Sequence, residues 1–248
     1  MADPLKQFKI ETLIPLEIGS LDLSYTNSAL WMTIAAGCSV LLLAAGLRNK
    51  SLVPGRLQMA NEMIYEFVAG MIRDNLGSEG KKFFPLIFSL FLFVLFGNLL
   101  GLVPYSFTFT SHIVINFALA LIIFLTVTVY GIFRNGMKFF SIFAPPGIPF
   151  ALAFVIVPIE IISFLIRPVT LSVRLFANMM AGHLVLKVFA GFSAAMIGLG
   201  IGGVVASILP MAFNVLFIAF ELLVACLQAY VFAILSCIYL KDAIEIHH

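Results

Sequence analysis

The chain has 248 residues, 62% of them hydrophobic and only 10% charged, with a mean hydropathy of +1.13. Soluble domains are about 45–50% apolar and about 25% charged, so water is the wrong solvent for this sequence. Its 14 Lys+Arg and 12 Asp+Glu leave a formal charge of +2, too small and too dispersed for a nucleic-acid footprint, which sets aside soluble enzymes and DNA-binding domains.

Residues 1–27 read as a retained segment on the outer side of a membrane, since no basic n-region opens it and no small-x-small cleavage pattern follows the first apolar block. That block, 28–47, carries no charge over 20 residues and is long enough to cross a hydrocarbon core of roughly 30 Å. Residues 48–82 then hold six basic side chains (Arg48, Lys50, Arg56, Arg73, Lys81, Lys82) and four acidic ones. Leu57, Met63, Ile64, Phe67, Val68, Met71 and Ile72 recur there at helical spacing, with Gln58, Glu62, Glu66 and Arg73 on the other side. This predicts an amphipathic helix, in the membrane interface or against a partner subunit.

No Asp, Glu, Lys or Arg occurs between Phe83 and Phe133, a run of 51 positions broken only by Gly101-Leu-Val-Pro104-Tyr-Ser-Phe-Thr-Phe-Thr-Ser-His112. Two crossings fit, near 83–103 and 112–133. Arg134, Gly136, Lys138 and Pro145-Pro146-Gly147 make a second basic loop, 134–147. The two basic connections are separated by two crossings, so the positive-inside rule places both in the cytoplasm or matrix and the N-terminus outside.

From Phe139 to Leu240 the only charged residues are Glu160, Arg167, Arg174, Lys187 and Glu221. A loop of Gly191, Gly198, Gly200, Gly202 and Gly203 divides 148–240 into two helical halves. Each half, about 40 residues or roughly 60 Å, is too long for an upright span. Extra breaks or a strong tilt would accommodate them, and Pro168 and Pro210 are positions that can kink them. The tail, 241–248, ends inside. The fold class is thus an all-α integral membrane protein with about five crossings and one interfacial helix. No internal repeat of the kind common in secondary transporters is evident. Cys38, Cys226 and Cys237, odd in number and inside apolar runs, read as core residues, with no disulfide or zinc pattern. His247-His248 are too few and too terminal for a metal site.

Ionisable groups inside a membrane are costly, by roughly 2.5–3.5 kcal/mol on insertion scales, and need a partner or an aqueous cavity. Glu160, Ser163, Arg167, Thr170, Arg174 and Asn178 are spaced 3, 4, 3, 4 and 4, stacking on one helix face, and His183 is counted with the same stripe. Asn214, Glu221 and Gln228, spaced 7 and 7, make a second seam. Such seams can be interhelical hydrogen-bond glue, with Glu160–Arg167 or Arg174–Glu221 as buried pairs. A file of acid, imidazole, amide and hydroxyl groups is also what a moving proton needs. Arg174 differs, because a guanidinium does not give up its proton and acts as a fixed barrier.

Pro168-Val-Thr-Leu-Ser-Val-Arg174-Leu-Phe-Ala-Asn178-Met-Met-Ala-Gly182-His183 resembles the signature of the subunit a family of F-type ATP synthases. Phe84-Pro-Leu-Ile, Phe93, Gly97-Asn98-Leu-Leu-Gly-Leu-Val-Pro104, Glu221, Leu227-Gln-Ala-Tyr230-Val-Phe and Tyr239-Leu240 extend the likeness over 28–240. The resemblance implies a proton-conducting stator subunit that passes protons through two offset half-channels to and from a ring of c subunits. Arg174 matches the family's essential arginine, facing the ring carboxylates. Asn178, His183, Asn214, Glu221 and Gln228 match the access half-channel, and Glu160, Ser163 and Asp242 the exit half-channel. Many bacterial members carry an acid where His183 stands and a histidine where Glu221 stands, so the arrangement here is alphaproteobacterial or mitochondrial in type.

Implied partners are the c-ring, peripheral-stalk b subunits and the rest of the F1Fo complex, with lipid and protons and no nucleic acid. No cofactor or metal is expected. The implied location is a bacterial inner membrane or, alternatively, a mitochondrial one, with the two long helices tilted along the ring. Lys187 and Arg167 read as snorkelling or lipid-binding cations, His112 as an outer-entrance or interfacial histidine, and Asn98 and Asn116 as packing groups. No G-x-x-x-x-G-K-[ST] loop is present to hold a nucleotide. A proton-coupled secondary transporter is the main rival. A membrane enzyme or redox subunit is disfavoured by the lack of H-E-x-x-H and by having only His112 and His183 in the apolar region.

Overall fold

A computed structural model describes residues 9–15, 17–18, 21–22, 24–48, 54–103, 106–143 and 150–244. Lys50, Pro104, Tyr105, the Pro145-Pro146-Gly147 turn, His247, His248 and parts of the N-terminal segment lie outside these residues. The segment before the first crossing carries four short strands, β1 (Thr12–Ile14), β2 (Glu17–Ile18), β3 (Leu21–Asp22) and β4 (Tyr25–Thr26). They pair antiparallel as β1 with β4 and β2 with β3. The sequence reading assigns none of them, because two-pair ladders are shorter than the four to eight residues over which a period of two can be recognised.

Among the described residues six α-helices follow: α1 (Asn27–Arg48), α2 (Arg56–Leu76), α3 (Phe84–Gly101), α4 (Ile113–Asn135), α5 (Phe150–Ile197) and α6 (Ile201–Ile244). All except α2 are long and apolar enough to cross a membrane. A helix satisfies its backbone hydrogen bonds internally, which is what hydrocarbon demands of any segment it surrounds. Helix α2 is the amphipathic connection. It buries Val68, Met71, Ile72 and Leu76, whereas Leu57, Met63 and Phe67 of the predicted apolar face stay exposed.

Pro168 and Pro210 break neither long helix, nor does Pro158. Neighbouring hydroxyls bond back to the α5 backbone, Thr170 to the Arg167 carbonyl at 3.0 Å and Ser172 to that of Val169 at 2.8 Å. The glycine loop is narrower than expected. Gly191 lies within α5 and Gly202 and Gly203 within α6, leaving 198–200 as the break. Gly200 turns the chain there with φ +87°, a conformation that costs a side chain dearly.

Two units make up the chain, one from 1–44, 92–112 and 175–229, the other from 45–91, 113–174 and 230–248. In the first, Asn98 is fully buried on α3 and its amide donates to the Ala225 carbonyl of α6 at 3.2 Å. Gly97 and Gly101, one turn apart on α3, leave no room for a Cβ and so admit the Phe109 ring and Thr108 against the helix. Phe189 of α5 meets Phe213 and Phe217 of α6, with centroids 5.9 and 5.4 Å apart.

In the second unit, Phe164 of α5 meets Phe124 of α4 and Phe143, at 4.9 and 5.4 Å, and Asn135 donates to the Ala243 carbonyl at 2.7 Å. Glu79, in the connection after α2, accepts from Lys82 at 3.1 Å and from Arg134 at 2.9 Å. Those two cations hold its carboxyl below the usual range.

Candidate functional site

Glu221 and Gln228 stand two turns apart on α6, on one side of the helix, and both are buried. Glu221 is only 4% exposed because α5 passes closely at Gly182, where a Cβ would meet the Glu221 carboxyl. Neither of its oxygens takes a hydrogen bond among the described residues. The nearest basic group is His183, whose Nδ1 lies 3.6 Å from Glu221 Oε1. That is beyond direct hydrogen-bond reach but within one small movement of it. Asn178, Gly182, Phe217, Phe220, Glu221 and Gln228 line a cavity of about 330 Å³, the bulk-liquid volume of about ten waters. The other edge of the imidazole is engaged by the loop after α3, with Thr108 Oγ1 at 3.0 Å from His183 Nε2.

One carboxyl and two amides therefore line a single pocket within the first unit, and the His183 imidazole, which is not among the lining residues, lies beside that carboxyl, with which it can exchange a proton. Asn214, one of the predicted group, sits two turns before Glu221 on α6 and does not line this cavity. His183 does not continue the α5 stripe. Nine residues at 100° each bring it half a turn away from Arg174, and the burial agrees, His183 being buried and Arg174 exposed.

Glu160, Ser163 and Arg174 lie on the part of α5 that belongs to the second unit. Glu160 is half-buried, and Ser163 and Arg174 are exposed. Asp242 is paired with Arg167, Oδ2 to Nη1 at 2.9 Å, and the guanidinium lies over the Tyr239 ring at 4.9 Å from its centroid. Arg167 is thus held within its own unit, by Asp242 rather than Glu160. Lys187 follows His183 by one turn and is half-buried. His112 stacks on Phe107, with ring centroids 5.1 Å apart.

Thr108 is the contact that the sequence reading misses. Only its membership of a hydroxyl-rich break in an otherwise oily run marks it, and its contact with His183 spans 75 residues of sequence.

A family model described as ATP synthase A chain matches residues 29–241. The ATP synthase subunit a of Mesorhizobium japonicum is 55% identical over 246 residues, covering 99% of this chain and 98% of that protein. That of a Chelativorans species is 56% identical over 248 residues, 99% of each chain. That of Rhodopseudomonas palustris is 51% identical over 249 residues, the whole of both.

Proposed function

The chain belongs to the ATP synthase A chain family, and on that premise we propose that it is the proton-conducting stator subunit of a rotary ATP synthase in a bacterial inner membrane. Protons enter from the outer side through the pocket of Asn178, Glu221 and Gln228 and past the His183 imidazole beside it, with Asn214 nearer the mouth. They load a carboxylate carried by each helix of a neighbouring c-ring. After nearly a full rotation each carboxylate meets Arg174, whose fixed charge favours the ionised form, and the proton leaves past Glu160, Ser163 and Asp242 to the inner side. Residues 48–82 and 134–147 lie on that inner side, the former meeting lipid headgroups or the peripheral stalk. A transmembrane potential supplies about 2.3 kcal/mol per proton charge per 100 mV, so several protons are needed per ATP.

The observation that carries this reading is Arg174. Its guanidinium is exposed on an apolar helix of membrane length and makes no ion pair or hydrogen bond among the described residues. Against lipid that position is strongly unfavourable, whereas against a partner's ring of carboxylates it is paired. Purification from its own membrane in mild detergent tests the assembly. A tagged chain should bring down a small ring-forming membrane protein and the soluble ATP-hydrolysing subunits. A chain that purifies alone and drives solute uptake in liposomes would overturn the reading.

A further inference from the structure

An imidazole that relays protons must present its basic nitrogen to the right neighbour, and a neutral ring has only one. In this site the choice is made by a hydroxyl. Thr108 is 3% exposed, and its Oγ1 has two partners, the Gly101 carbonyl at 3.2 Å and His183 Nε2 at 3.0 Å. The carbonyl can only accept, so both contacts are hydrogen bonds only when the single hydroxyl proton goes to Gly101. What remains for His183 is a lone pair, which requires Nε2 to be the protonated nitrogen. Gly101 ends α3, so its carbonyl has no partner further along the helix, and the Ser106 hydroxyl also donates to it at 3.1 Å. A Cβ at Gly101 would lie 2.6 Å from the Thr108 methyl; glycine there is what lets the hydroxyl reach the carbonyl.

We propose that Thr108 is a positioning residue that fixes His183 as the Nε2–H tautomer and thereby aims its basic nitrogen, Nδ1, at Glu221 Oε1. One proton then moves on one line. An O–H bond at Glu221 breaks as an N–H bond forms at Nδ1, giving carboxylate and imidazolium, and the reverse transfer restores both neutral groups. The charged or titratable groups beside the imidazole are Glu221 from α6 and Lys187 from its own helix. With the hydroxyl removed, the contact that makes Nε2 the donor is lost, and the Nδ1–H form would present Glu221 with a donor in place of an acceptor.

The inference rests on the access half-channel reading, and passive proton flux through membranes stripped of their soluble heads separates the two. Thr108→Val keeps the shape and loses the hydroxyl, and should lower flux about tenfold near neutral pH, the order of effect expected from one buried hydrogen bond. The deficit should shrink as the outer pH falls, because a doubly protonated imidazole has no tautomers. Thr108→Ser should restore flux to within about twofold, since a hydroxyl again satisfies the geometry. Equal flux in Thr108→Val and the wild-type complex, or a deficit that does not change with pH, overturns the proposal. Undiminished flux in His183→Ala overturns the half-channel reading itself. If Thr108→Val does not assemble, 15N spectra of the intact histidine-labelled complex, at a pH where the ring is neutral, decide the matter. With the His183 signal assigned by its loss in His183→Gln, a protonated Nε2 and bare Nδ1 support the proposal and the reverse rejects it.

Discussion

Replacing Arg174 with alanine is expected to reduce proton-driven ATP synthesis in the assembled complex to background, while the detached soluble head, which does not contain this chain, hydrolyses ATP at its normal rate. An opposite charge within about 4–6 Å lowers a carboxylate pKa by about one to three units. Without the guanidinium, a ring carboxylate arriving from the outer side stays protonated in lipid and carries its proton past the exit. The same change removes the barrier between the half-channels, so passive flux should persist or rise even as synthesis disappears. Arg174→Lys should also fail to couple, since an ammonium in an apolar setting can deprotonate and lacks the planar fork. Acid-bath ATP synthesis in inverted vesicles, paired with a dye assay of passive flux, measures both quantities, and retained coupled synthesis would reject the barrier role.

Glu221→Gln should slow proton uptake from the outer side by about a hundredfold, the lower end of what a positioned acid–base group contributes. The amide matches the carboxyl in shape and fits beside Gly182, so the 330 Å³ cavity and its lining should survive. What is lost is a group that exchanges protons with His183 Nδ1. The defect should appear in passive flux and in ATP synthesis alike, with the complex still assembled. Flux equal to wild type would exclude Glu221 from the path.

These expectations draw unequally on sequence and on structure. The bounds of the first apolar helix are legible almost to the residue, Asn27–Arg48 coinciding with the uncharged block 28–47, because a long uncharged run favours a helix of membrane length. The glycines at the edges of the last loop mislead. In water Pro168, Pro210, Gly191 and Gly202 would argue for breaks, but in a membrane an interrupted helix leaves backbone groups that no solvent can satisfy, so α5 and α6 run on through them.

The polar residues of the site are visible one by one, since each is expensive where it stands. Their grouping is only partly so. The spacing of 7 correctly places Glu221 and Gln228 together, whereas His183 is assigned to the wrong side of α5 by a miscounted half-turn. Thr108–His183 and Arg167–Asp242 each join residues 75 apart in sequence. No periodicity within a single helix reports such contacts, which depend on how a loop seats on Gly97 and Gly101 and on how the last turn of α6 meets the body of α5.

Cysteine cross-linking in the native membrane is the most direct test of the central claim, that the exposed guanidinium of α5 faces a rotor. Thr170, Val173 and Ala177 surround Arg174 on the same exposed side of the helix. Single cysteines at these positions, paired with cysteines on either side of the ring carboxylate, should give disulfide-linked products that block ATP-driven proton pumping and are reversed by reductant. Products formed only with lipid-facing controls, or with no ring protein at all, would contradict the account.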